Sequence, residues 1–179
     1  STDGGVVNVR ALQVDTHYLQ LLGIAPIAGR LLDDQHGEDT TLVLPTREAQ
    51  AAAPNPALVL NEAAARALGY ARPADAVGQS RRWSRTRFEG GRASPGEVRA
   101  STIVGVVPDF SLGSVRERIE PMGYYIDPFN AFSLYVEMDG ARIPETVRAV
   151  EAAWDKLMDG APFRGQFLSQ VLDDIYSDI

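Results

Sequence analysis

The chain contains no cysteine, so it has no disulfide, no thiolate nucleophile and no cysteine-based zinc site. Lysine is nearly missing as well: Lys156 is the only one, and the remaining basic residues are arginines, consistent with a GC-rich coding bias. Only two histidines occur, His17 and His36. They are far apart and lack a partner at zinc-site or helical spacing, which argues against a histidine metal centre. No apolar run approaches the roughly 20 residues needed to span a bilayer, and no charged-then-apolar leader opens the sequence at Ser1. There is no G-x-x-x-x-G-K-[ST] loop and no G-x-G-x-x-G after a strand, which removes the usual nucleotide-phosphate cradles. G-x-S-x-G and S-x-x-K are missing too, so the commoner serine-nucleophile signatures do not apply.

What is present is an ordinary globular composition. In 179 residues, 45% are hydrophobic, enough to bury a core, and the formal net charge of −7 opposes nonspecific attraction to polyanions. Val6–Val14 alternates as a strand, and Asp15-Thr16 caps a short helix carrying Tyr18, Leu19, Leu21 and Leu22 that stops at Gly23. An acidic loop, Asp33-Asp34-Gln35-His36-Gly37-Glu38-Asp39, follows the Gly29-Arg30 turn; it lacks EF-hand ligand spacing and reads as a solvated loop. Thr40–Pro56, with three prolines, is an irregular insertion. Leu58-Val59-Leu60 then forms a strand leading to an Asn61 N-cap and a helix over Glu62–Leu68. Ala76-Val77-Gly78 opens a further strand, which runs into an arginine-rich hairpin and returns through Ser101.

The segment STIVGVVPDFSLGSVRERIEP, Ser101–Pro121, is the most distinctive. Its Ile103, Val104, Val106 and Val107 form a near-continuous apolar run, as in a strand covered on both faces. Gly105 inside that run marks a bulge or a close backbone approach. Beyond it, Ser133–Met138 alternates as a strand. Ile143, Val147, Val150, Trp154, Leu157 and Met158 form a helical stripe with Pro144 in the first turn. Phe163–Leu168 reads as a strand, and Ser169 as the cap of a last helix with Val171, Leu172, Ile175 and Ile179. The class is α+β, a split βαβ arrangement with an inserted β-rich part.

Two constellations imitate function. Arg81, Arg82, Arg85 and Arg87, interleaved with Trp83 and Phe88, resemble a phosphate-and-stacking surface. A two-sided hairpin explains the pattern more economically, with Trp83 packed inward and arginines discouraging edge pairing. Because arginine and tryptophan are common at binding hot spots, Arg81, Trp83, Arg85 and Arg87 are candidate contacts for a protein partner or ligand rather than for nucleic acid. Asp109 and Glu120 would be the carboxylate pair of a hydrolase, but turn and cap roles account for both.

Read in order, Val14-Asp15, Leu22-Gly23, Gly29-Arg30, Asn61-Glu62-Ala63-Ala64, Leu68-Gly69, Val77-Gly78, the Ile103–Phe110 stretch and Glu120-Pro121 resemble the extracytoplasmic core domain of MacB-type ABC transporter permeases, of the FtsX-like superfamily. The resemblance implies a porter-like α/β subdomain, residues 1–35 plus 131–179, with a β-rich subdomain, 36–130, inserted into it. It implies a noncatalytic domain without cofactor or metal, on the periplasmic face of the inner membrane, both chain ends returning to the bilayer. The implied partners are a cytoplasmic ATPase subunit or domain, a second permease copy, and a periplasmic adaptor or protein substrate. The Thr40–Pro56 insertion and the Trp83–Pro95 hairpin exceed the family pattern. A soluble ligand- or protein-binding module of the same fold is the alternative.

Overall fold

The β-branched run at Ile103–Val107 ends a long strand, β5 (Arg92–Val107), around which the sheet is organised. The computed structural model describes residues 7–40, 56–89, 92–110, 119–127 and 133–170. With β1 (Arg10–Val14), β2 (Ala28–Gly29), β3 (Leu58–Asn61), β4 (Ser80–Glu89) and β6 (Met122–Ile126), β5 makes a mixed six-stranded sheet. The order is β1-β6-β3-β5-β2, with β4 pairing the earlier part of β5. β1 runs parallel to β6 and β3 parallel to β5, whereas β3 with β6, β2 with β5 and β4 with β5 are antiparallel. Parallel pairs need crossover connections, and α1 (Tyr18–Leu21), α2 (Glu62–Ala67) and α3 (Pro73–Ala76) lie within them. Helices combined with a mixed sheet make the fold α+β.

Strand alternation distributes the core to both faces of this sheet. Val59 and Leu60 are adjacent, so their side chains point oppositely. Val59 joins Leu19, Leu32, Ala57, Val107, Tyr124 and Ile126, while Leu60 joins Ala64, Ala65, Ala76, Ile103 and Val106. Covering both faces is why β3 and the end of β5 read as unbroken apolar runs rather than as alternating ones. The alanines of α2 and α3 are fully buried at Ala64, Ala65 and Ala76, small side chains that bring helix backbone close to the sheet. Burying a side chain of Leu60's size is worth about 1.5–3 kcal/mol.

Two glycines fix how β2 meets β5. Gly29, with φ +68°, faces Gly105 across the pairing. A Cβ on Gly105 would stand 1.9 Å from the Arg30 carbonyl oxygen, and one on Gly29 would stand 2.2 Å from that of Val104. Only hydrogen fits at either position, so the close approach expected at Gly105 has a specific cause. Arg30 leaves this contact with its amide donating to the Val104 carbonyl at 3.0 Å.

The chain divides into two compact units: residues 1–110 with 118–133, and 111–117 with 134–179. The sheet lies in the first. Residues 1–35 and 36–130, assigned above to different subdomains, thus supply strands to one sheet, because β1 pairs β6 and β2 pairs β5.

The second unit contains α4 (Ile143–Leu157), which realises the expected helical stripe. Asp139 precedes it, its side chain accepting from the Ala141 amide at 3.0 Å. Trp154 donates through Nε1 to the Ala161 carbonyl at 2.7 Å, and its ring meets Phe163 edge-on at 6.0 Å.

Three expected strands are corrected. Residues 133–139 form no strand, and Leu134, Tyr135 and Val136 are 75%, 45% and 44% exposed. Alternation supplies a surface for a strand but not the hydrogen-bonding neighbour that makes one. Phe163–Leu168 also forms no strand; Phe163 is used against Trp154 and a helical turn begins at 168. Ala76 belongs to α3, whose Pro73 fits a first helical turn, and the hairpin strand starts only at Ser80. The remainder of the expected last helix, 171–179, and most of the Thr40–Pro56 insertion lie outside the described residues.

Candidate functional site

The arginine-rich hairpin is where a partner contact was expected. β4 and β5 pair antiparallel from Ser80↔Thr102 to Glu89↔Arg92, with a register shift between Ser84 and Thr86. Trp83 turns inward: Nε1 donates to Ser101 Oγ at 2.6 Å, and the ring meets Tyr125 edge-on with centroids 4.9 Å apart. Ser101 and Tyr125 are both 2% exposed, so Trp83 seals the foot of the hairpin onto the core. Such an aromatic pair adds about 0.5–1.5 kcal/mol beyond area burial. Arg81 lies with its guanidinium carbon 4.9 Å from the Tyr70 ring centroid, a cation–π contact that also covers the Tyr70 ring. The Tyr70 hydroxyl is buried and has no hydrogen-bond partner among the described residues. Arg82 is exposed. The side chains of Arg85 and Arg87 lie outside the described residues. Of the four candidate contacts, Arg81 and Trp83 are therefore engaged in intramolecular packing.

A second polar centre, not anticipated from the sequence, is built on Arg30. The turn at Gly29 aims its guanidinium at the acidic loop, where it forks onto both carboxylate oxygens of Asp39, at 2.9 Å through Nη2 to Oδ1. Asp39 is completely buried and also accepts from the Asp33 amide at 3.0 Å. Arg30 further donates to the Leu31 carbonyl at 3.1 Å and lies 3.6 Å from Glu38 and 3.8 Å from Asp33. The hydrogen bond to Asp39 raises the Arg30 pKa further above its ordinary value, keeping the group charged. Asp33 receives a 2.7 Å contact from His36 Nδ1 and amide bonds from Gln35 and His36; the imidazole contact, first, holds its carboxyl below the usual aspartate range. The loop is tied to the sheet beyond this network by the Ala57 amide on the Glu38 carbonyl and by a parallel bridge from Thr40 to Ile126.

Asp33, His36 and Asp39 each offer a ligand atom, all within 4.8 Å of one another. The cation those carboxylates meet is already Arg30, and both oxygens of Asp39 are committed to protein donors. Charge, geometry and hydrogen-bond satisfaction here describe an anchored loop.

A third centre gathers several of the motif residues. Asn61 is fully buried and makes three side-chain hydrogen bonds: Oδ1 accepts from the Ala64 amide at 2.8 Å and from the Met122 amide at 2.9 Å, while Nδ2 donates to the Glu120 carbonyl at 2.9 Å. One side chain thereby caps α2 and positions the start of β6. Asp109 accepts from the Ala63 amide at 2.8 Å and from the Arg66 guanidinium, and its own amide donates to Glu62 at 3.5 Å. This resembles a capping box closed across the tertiary structure, with carboxylates where the helix end offers unpaired N–H groups. Glu120 faces Arg10 at 3.5 Å, with both side chains mostly exposed, a pair worth little. The carboxylates of Asp109 and Glu120 are thus each paired with an arginine, and Asp109 is additionally spent on capping. His17 is exposed beside the α1 cap, where Asp15 accepts from the His17 and Tyr18 amides at 2.9 and 2.8 Å.

Compared with protein-family models, curated proteins and solved structures, the chain matches none. No helix among the described residues is long and apolar enough to cross a membrane.

Proposed function

We propose that this chain is the noncatalytic extracytoplasmic domain of an ABC transporter permease, which converts ATP-driven movement of membrane helices into movement of a periplasmic surface. What supports the reading is where the motif residues fall. Gly29-Arg30 locks against Gly105, and Asn61-Glu62 interlocks with Asp109 and Glu120-Pro121. Motifs that define packing contacts rather than reactive groups suit a stiff transmitting body, since close-packed interiors pass displacement on with little compression. The energy source and the second copy belong to the parent permease in this proposal, and the domain supplies the lever. An adaptor or protein substrate would meet its outer surface, where Arg82 is exposed on the hairpin.

The test uses the full-length gene product. Ala67 is exposed on α2 in a domain with no cysteine, so Ala67→Cys introduces the domain's sole thiol. A membrane-impermeant maleimide labels it in intact spheroplasts, and apolar segments of about 18 residues or more flank the domain in the parent chain. Labelling only after lysis, or a parent chain without such segments, overturns the proposal.

A further inference from the structure

We draw no further inference here: the strongest candidate, the apolar stripe of α4 formed by Ile143, Val147, Val150, Trp154 and Leu157 in the smaller unit, is an amphipathic face for which nothing in the structure shows what covers it.

Discussion

Replacing Asp39 with alanine removes the acceptor for both arms of the Arg30 guanidinium and for the Asp33 amide, and leaves a cation whose side chain is only 29% exposed. Breaking a buried ion pair by deleting one partner costs about 3–5 kcal/mol. Glu38 and Asp33, at 3.6 and 3.8 Å, retain part of the compensation for Arg30, which places the expected loss near the lower end, about 3 kcal/mol. With a urea dependence of about 2 kcal/mol per molar, the midpoint moves down by about 1.5 M. The assay is urea unfolding followed by Trp83 fluorescence in a Trp154→Phe background, which leaves one reporter, in the unit that contains Asp39. Arg30→Met combined with Asp39→Ala removes the stranded cation together with its partner, so the double variant recovers at least about 1 kcal/mol relative to Asp39→Ala. A midpoint shift under about 0.4 M for Asp39→Ala, or additive losses in the double variant, would refute the reasoning, because either result is what an exposed surface pair gives.

Gly105→Ala forces a methyl group onto the Arg30 carbonyl, a backbone atom that cannot step aside, so the thermal midpoint falls where an ordinary strand glycine-to-alanine change would raise it, with a loss of about 3 kcal/mol, the upper end of typical overpacking; a neutral or stabilising outcome by calorimetry contradicts the close approach. Burial, before the nearby Tyr18 and Asp109, raises the pKa of the Tyr124 hydroxyl above its ordinary value of 10.0. The folded chain therefore keeps a proton that the unfolded chain gives up: this contribution to stability is complete below pH 10 and is lost as pH rises toward the folded pKa. Urea midpoints at pH 9 to 11 decline for the parent and decline less for Tyr124→Phe, and equal slopes contradict the assignment.

The legible parts of this fold are those whose cause is local. The 3.6-residue spacing from Ile143 to Leu157 marks α4, Asn61 ahead of Glu62 marks the start of α2, and Gly105 in a β-branched run marks the crowded approach of β2. Trp83 packs inward as a two-sided hairpin requires. The strand β6 carries no strand signal of its own: MGYYI is short and interrupted by Gly123, and its identity as a strand comes from β1 and β3, brought to it by the fold. Conversely, Ser133–Met138 carries the right alternation but lacks a strand neighbour among the described residues. The Arg30–Asp39 pair escaped for a different reason. An acidic loop next to an arginine looks the same in sequence whether its carboxylates are solvated or one of them is buried, and only the turn at Gly29 decides which. At Arg81 the sequence is similarly silent, since an arginine stacked on Tyr70 and an arginine facing solvent are the same letter.

The proposed role depends most directly on whether this domain moves when ATP is bound elsewhere. If the parent is the proposed permease with two copies of this domain, spin labels on Ala67→Cys in the full-length protein, reconstituted in nanodiscs, report that motion as the distance between the copies. Distinct distance distributions are expected in the nucleotide-free and ATP-trapped states; a distribution unchanged between them overturns the proposed role.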